Sequence, residues 1–106
     1  MPKYLWKGNY RSEGTKGLLK EGGTARVKAV EQLLQSVGGK LEAYYYALGD
    51  HDAYLIVDLP DNASAAAVSM AISAAGVTRI QTVPLLTPAE IDQAAKKPAR
   101  YRPPGT

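Results

Sequence analysis

The stretch "KLEAYYYALGDHDAYLIVDLP", Lys40 to Pro60, contains two strand-like runs on either side of the segment "GDHD". Aromatic and β-branched residues are concentrated in these runs, which is typical of β-strands. Glycine and aspartate, which make up most of the intervening segment, are residues that form tight turns. The stretch therefore predicts a β-hairpin whose two strands are antiparallel neighbours.

The segments on either side of the hairpin extend this pattern. The aromatic run "KYLWKGNY" predicts a first strand, and "TARVKAVEQLLQSVGG" places Val27, Val30, Leu34 and Val37 at the spacing of an amphipathic helix. After the hairpin, "PDNASAAAVSMAISAAG" predicts a helix of small residues that is capped near Asp61 or Asn62 and ended by Gly76. "VTRIQTVPLL" then predicts a last strand. The order is that of an α+β, ferredoxin-like βαββαβ sandwich with a four-stranded antiparallel sheet.

A further helix is predicted at the C-terminal side of the last strand. In "TPAEIDQAAKK", Thr87 and Glu90 have the spacing of a capping box, and Pro98 ends the helix. A chain of 106 residues is long enough for one core, so we expect one folded domain at 1–97. Residues 98–106 form a basic, proline-rich tail that is either disordered or laid across a neighbouring subunit.

Composition excludes several classes of function. The chain has no cysteine, which rules out disulfides, zinc–thiolate sites, iron–sulfur clusters and thiol nucleophiles. The net charge is +3, but four of the 13 basic residues lie beyond Asp92, where there is no acidic residue. The folded body is therefore close to neutral, and we expect no nucleic-acid partner. The N-terminus lacks an apolar signal core and no apolar run could span a bilayer, so we expect a cytoplasmic protein without a membrane partner.

A ferredoxin-like sheet has helices on one face only, and its other face is called the open face below. That face must be polar, covered by another subunit or used to bind a ligand. If the hairpin loop has an odd number of residues, strand alternation sends Leu41, Ala43, Tyr45, Leu55 and Val57 toward the helices. The seven residues then predicted as ligand-binding candidates on the open face are Lys7, Asn9, Tyr44, Tyr46, Tyr54, Arg79 and Gln81.

This set of side chains is typical of two kinds of surface. Aromatic rings with a few convergent polar groups are found in ligand cavities, and tyrosine and arginine are also enriched at protein interfaces. Both interpretations hold if two sheets face each other across a partly filled space. We therefore expect a homodimer or higher homo-oligomer that is able to take a small molecule.

His51 is the one histidine of the chain, and it lies between Asp50 and Asp52. An aspartate could orient it as a general base, which makes it a candidate catalytic residue. The simpler interpretation, which we favour, is a hairpin loop in which the glycine and the aspartates satisfy the turn. Three adjacent loop residues rarely converge on a metal and no second histidine is present, so we expect no metal site and no cofactor.

Three parts of the chain carry a family resemblance: "YLWKGNY" with "SEGTKGL", the segment from Arg26 to Leu41, and "LGDHDAYLIVDLPD". Together they resemble the GYD domain family of small bacterial proteins, whose signature is a Gly-x-Tyr-Asp hairpin followed by an apolar strand and a proline. Gly49 and Asp52 match this signature, whereas His51 stands at the position of the tyrosine. A position that accepts different rings is less suited to a fixed catalytic role.

The resemblance implies an assembly, because the GYD family is similar to the dimeric α/β-barrel proteins, in which two ferredoxin-like sheets face each other. It implies a homo-oligomeric module that binds a small molecule or has a structural or regulatory role without catalysis. The alternative is a cofactor-independent enzyme, monooxygenase-like or isomerase-like, with its cavity between the facing sheets. Related barrels also include haem-handling enzymes. If this protein bound haem, His51 would have to be the ligand, and a histidine at the tip of a hairpin is badly placed to reach a cavity. The sequence does not decide whether the protein is an enzyme.

Overall fold

The computed structural model describes residues 1–106 as an α+β fold with four strands and four helices. The elements, in chain order, are β1 (Lys3–Tyr10), α1 (Ser12–Glu21), α2 (Gly23–Gln35), β2 (Lys40–Tyr46), β3 (Ala53–Asp58), α3 (Asn62–Ala75), β4 (Thr78–Leu85) and α4 (Pro88–Ala95). The strands form one antiparallel sheet in the order β2-β3-β1-β4. This order is the ferredoxin-like arrangement, with the first helical segment divided into α1 and α2.

The core lies between the sheet and the helices. Alternate residues of the central strands point to this side, among them Trp6 of β1 and Val57 of β3, and both are fully buried. Leu34 of α2 and Val68 of α3 pack against them from the helix layer. α2 lies along β2, at one edge of the sheet, and α3 lies along β4, at the other edge. The two helices therefore stand apart above the central strands.

The ends of α3 and α4 have the capping chemistry that the sequence predicts, whereas α1 and α2 begin without a side-chain cap. Thr87 and Glu90 form a complete capping box at the start of α4. Gly76 ends α3 with a left-handed conformation (φ 76°). All eight residues of α4 are exposed, so this helix projects from the body of the domain. None of the four helices combines the length and the apolar character that a membrane crossing requires.

The start of α3 gives a testable pH dependence. The Asp61 side chain accepts a hydrogen bond from the Ser64 backbone N–H (2.8 Å), and this bond holds the pKa of Asp61 below its ordinary value of 3.8. Because the folded pKa is depressed, the stabilisation is fully present above the unfolded value and is lost as the pH falls through the folded one. We therefore expect the advantage of the wild type over Asp61→Ala in urea unfolding to be constant near neutrality and to shrink below about pH 4.

Asp61→Asn is the matched control for this measurement. Asparagine also caps helices but does not titrate, so the difference between the Asn and Ala variants should not depend on pH. A wild-type advantage over Asp61→Ala that is the same at pH 7 and at pH 3 would contradict the expected role of the Asp61 carboxylate.

The register of β2 differs from the expected one. The hairpin loop contains the six residues 47–52, so Tyr46 lies directly opposite Ala53 and shares its helix-facing side. A β-bulge between Leu41 and Ala43 then shifts the alternation by one residue, which keeps Leu41 on the helix side. The predicted face is therefore correct for Leu41, Leu55 and Val57 and wrong for four residues of β2: Ala43, Tyr44, Tyr45 and Tyr46.

Candidate functional site

The open face of the sheet has three zones along the direction of β1. Its centre is apolar and is formed by the cross-strand neighbours Leu5, Ile56 and Val83, all of them half-buried. At one end, the Lys3 ammonium forms ion pairs with Glu42 (2.9 Å) and Asp58 (2.8 Å). At the other end lies a depression of about 340 Å³ that only polar side chains line. We call its six residues the polar cluster: Lys7, Asn9, Asp50, His51, Arg79 and Gln81.

Strand pairing positions most of the polar cluster. Asn9 of β1 lies opposite Arg79 of β4, and Lys7 lies opposite Gln81. These positions are on the open face because Trp6 and Gly8, which alternate with them, are buried on the helix side. Lys7 and Arg79 are diagonal neighbours, which in an antiparallel pair are about 7–8 Å apart. Four of the seven ligand-binding candidates, Lys7, Asn9, Arg79 and Gln81, are thus brought together as the sequence predicts.

The hairpin loop brings Asp50 and His51 to the same place. The Asp52 carboxylate accepts a hydrogen bond from the Tyr10 backbone N–H (2.8 Å), and the Asp52 N–H donates to the Gly8 carbonyl (2.9 Å). Gly49 has a φ of 121°, a conformation that suits glycine. These contacts dock the loop on the end of β1. Gly49 and Asp52 are therefore the structural residues of the loop, and His51 is left to line the polar cluster.

Asn9 fixes the tautomer of His51. The Asn9 Nδ2 donates to the Asp50 carbonyl oxygen (2.7 Å), and since a carbonyl oxygen only accepts, this bond settles the orientation of the amide. The Asn9 Oδ1 then faces His51 Nδ1 at 2.7 Å, so Nδ1 carries the proton and donates. In the neutral ring the Nε2 lone pair is left without a partner in the chain. Edge-on contact with Tyr54, at 5.7 Å between ring centroids, also holds the ring.

The electrostatics of the polar cluster favour an anion. Lys7, Arg79 and Gln81 make no side-chain hydrogen bond within the chain, and neither cation has a carboxylate within ion-pair distance. Two cations and one carboxylate, Asp50, leave a net charge of +1. Uncompensated cations on adjacent strands repel each other, and a bound anion removes this repulsion. The arrangement can bind a carboxylate or phosphate group and place it beside His51.

The opposite end of the open face has the reverse charge. Hydrogen bonds from Lys3, first to Asp58 and then to Glu42, raise the pKa of the lysine. Two carboxylates against one ammonium leave this end with a net charge of −1. Lys3 and Asn9 are six residues apart on β1, so the two charged ends are roughly 20 Å apart.

Tyr44 and Tyr46 are not on the open face, which corrects their predicted position. The Tyr46 hydroxyl donates to the Gly23 carbonyl (2.9 Å), and the Tyr44 hydroxyl lies 3.0 Å from that of Tyr10, on the helix side. Burial, reinforced by the hydrogen bond with Tyr10, raises the pKa of Tyr44, and burial is also the main cause of the raised pKa of Tyr10. Both phenols stay neutral at physiological pH. The tyrosines that do face the open side are Tyr54 and Tyr45.

The donor chemistry of the polar cluster does not fit a metal ion. No group of three or more histidine, aspartate and glutamate side chains is placed to hold one anywhere in the domain. Two cationic side chains beside a single imidazole would also repel a cation. The association of His51 with Lys7 and Arg79 is not predicted by the sequence. The residues that tie the hairpin loop to β1 are Asn9, which bonds to Asp50, and Asp52, which bonds to Tyr10. These partners are 41 and 42 residues apart in the chain, so local sequence does not indicate that they meet.

Comparison with known proteins gives one significant match. The family model described as GYD domain matches residues 4–95, which is most of the chain. No curated protein and no solved structure matches significantly. The matched segment contains all four strands except the first residue of β1, the complete hairpin and all six residues of the polar cluster. The chain therefore belongs to the GYD domain family.

Proposed function

We propose that this GYD-domain protein binds a small anionic molecule in the polar cluster, as a homodimer whose two open faces meet. The observation that best supports anion binding is that the Lys7 and Arg79 side chains have no hydrogen-bond or ion-pair partner in the chain and lie next to a histidine of fixed tautomer. A guanidinium and an ammonium together offer an anion several charge-assisted hydrogen bonds. Gln81 and Asn9 add neutral polar groups that can recognise the remainder of the molecule.

The composition of the open face supports a second copy of the chain as its cover. Leu5, Ile56 and Val83 form an apolar centre, and the exposed rings of Tyr45 and Tyr54 extend it. Exposed apolar patches with aromatic residues are typical of interfaces. In a two-fold arrangement, the acidic end of one face can meet the basic end of the other, which makes the surface complementary to itself. Closure would also exclude water from the polar cluster.

A second function is favoured by the state of His51. Its Nδ1 is committed to Asn9, and Nε2 is the nitrogen that can accept a proton. An anion held by Lys7 and Arg79 would lie beside this nitrogen. The protein would then be a cofactor-independent enzyme that abstracts a proton from a carbon next to a carbonyl group, as an isomerase does. In this reaction Lys7 or Arg79 stabilises the negative charge that develops on the carbonyl oxygen.

Pyruvate is a suitable probe, since it has both a carboxylate and acidic carbon-bound protons. We expect pyruvate to shift the NMR signals of the β1 and β4 amides in a saturable way, and Lys7→Ala or Arg79→Ala to weaken this binding at least tenfold. A charge-assisted hydrogen bond is worth about 1.5–3 kcal/mol, and 1.4 kcal/mol corresponds to a factor of ten. Lys20→Ala and Arg102→Ala, which remove the same charges from exposed positions outside the cluster, should leave the affinity unchanged.

The same sample in D₂O separates binding from catalysis. If His51 removes a proton, the pyruvate methyl signal will decay through exchange with solvent deuterium, and His51→Asn will slow this decay by about 10²–10⁴-fold without changing the affinity greatly. Binding without exchange supports the binding module alone. An equal loss of affinity in the cluster variants and in the two control variants would show that only the net charge attracts the anion, and the proposed site would be wrong.

A further inference from the structure

The helix side of the sheet contains a second cavity, which is separate from the polar cluster. It has a volume of about 250 Å³ and opens between α2 and α3 above the central strands. Twelve of its 15 lining residues are hydrophobic, among them Val30 and Leu33 of α2 and Leu55 of β3. We call it the helix cleft. It shares no residue with the polar cluster, and its chemistry is the opposite.

The helix cleft stays open because two of the three α3 residues that border it are alanines. Ala71 and Ala75 lie one turn apart on α3, line the cleft and are exposed. Protein interiors are normally packed without voids of this size, and larger side chains at these two positions would close the gap. The sequence instead leaves an apolar, concave surface open to solvent. Such surfaces are typical of sites for small apolar ligands.

Polar side chains also border the helix cleft. Tyr10 and Tyr44 place their paired hydroxyls there, and Arg26 of α2 contributes its guanidinium. Arg26 has only one ion pair, with Glu21, at 3.5 Å and with both side chains about 40% exposed. Exposed pairs of this kind contribute little to stability, so Arg26 can exchange Glu21 for the carboxylate of a ligand at little cost.

The floor of the helix cleft includes Trp6, which is fully buried. Its indole Nε1–H has no hydrogen-bond partner in the chain. A buried donor without a partner is destabilising, but this cost is present before any ligand binds, so a hydrocarbon chain on the floor breaks no hydrogen bond of Trp6. Trp6 is also the one tryptophan of the chain, so tryptophan fluorescence reports on this part of the domain.

We propose that the helix cleft binds a small apolar monocarboxylate, such as a medium-chain fatty acid. The hydrocarbon lies between α2 and α3 on the apolar floor, and the carboxylate pairs with Arg26 at the rim. The modest volume of the cleft excludes long-chain fatty acids. The single cation at the rim selects an acid over the corresponding alcohol.

Octanoate tests this proposal through the fluorescence of Trp6. We expect a saturable change with octanoate, binding at least tenfold weaker with 1-octanol, which lacks the charge, and no change with acetate, which lacks the apolar chain. Arg26→Gln should reduce octanoate affinity at least tenfold and leave octanol affinity unchanged. Glu21→Gln, which removes the competing carboxylate, should change octanoate affinity in the opposite direction and tighten it.

Filling the helix cleft provides a steric test. Ala71→Phe should abolish octanoate binding, whereas Ala66→Phe, at an exposed position of the same helix outside the cleft, should not. Circular dichroism checks that both variants fold. If Ala71→Phe is unfolded, the opposite effects of Arg26→Gln and Glu21→Gln on octanoate affinity still test the proposal. Arg79→Ala should have no effect on octanoate, which separates this site from the polar cluster. Absence of saturation in both the wild type and Glu21→Gln, or unchanged affinity in folded Ala71→Phe, would overturn the proposal.

Discussion

Replacement of Gly39 by alanine is expected to destabilise the domain by about 3 kcal/mol, at the upper end of the usual cost of overpacking. A Cβ atom on Gly39 would lie 2.6 Å from the Asp58 carbonyl oxygen and 2.6 Å from Leu59 Cδ2. Gly39 is buried, and its N–H donates to the Leu34 carbonyl (2.8 Å), so it is held between the end of α2 and the sheet. The melting temperature should fall by roughly 12–24 °C in a domain of this size.

Gly17→Ala is the matched control, because it is the same substitution with the opposite expected sign. Gly17 lies within α1, and a Cβ atom there meets nothing within 4 Å. Alanine favours the helix over glycine by about 0.8–1 kcal/mol, so this variant should be more stable than the wild type. Urea unfolding of both variants measures the two effects. A Gly39→Ala variant within 1 kcal/mol of the wild type would show that the contact relaxes without strain.

Ile56→Glu is expected to convert the proposed homodimer into a monomer and to raise its dissociation constant at least a hundredfold. Ile56 lies at the centre of the open face, next to Leu5. A glutamate there would be buried without a partner in the dimer, which costs several kcal/mol, but would remain hydrated in the monomer. Light scattering across micromolar concentrations measures the change, and circular dichroism confirms that the monomer is folded.

Ser73→Glu adds the same charge at an exposed position of α3, on the other side of the sheet, and should leave the dimer intact. Two results would contradict the proposed interface. One is a wild-type protein that stays monomeric at about 100 μM, and the other is an Ile56→Glu variant that remains dimeric. In either case the apolar centre of the open face would need a different cover.

The order of the elements could be predicted because each is encoded by its own local sequence. The capping box of Thr87 and Glu90, the cap at Asp61 and the stop at Gly76 are all found where the sequence places them. These features depend on residues three or four apart, or on one backbone conformation. The assignment of the chain to the GYD domain family is also confirmed.

The faces of β2 could not be predicted, since they depend on contacts between distant residues. Strand alternation predicts faces only when the loop length and the bulges are known. The bulge lies at Glu42, and the partner of that side chain is Lys3, 39 residues earlier in the chain. For the same reason, the sequence predicts that His51 lies in the hairpin loop but not that it lies beside Lys7 and Arg79. The side chains on β1 and β4, whose strands are regular, were assigned to the correct face.

The bulge at Glu42 has a consequence for how proteins of this family are compared. If the bulge were lost and Glu42 became an ordinary paired residue, the preceding part of β2 would turn over, so that Leu41 would face solvent and Lys40 the core. Deletion of Glu42 would instead restore regular pairing and keep both residues on their present faces. A gap placed one position too early or too late in an alignment would therefore match inward-facing residues with outward-facing ones. Comparisons of the three consecutive tyrosines between relatives should be anchored on Ala53, which lies opposite Tyr46, and not on the start of the strand.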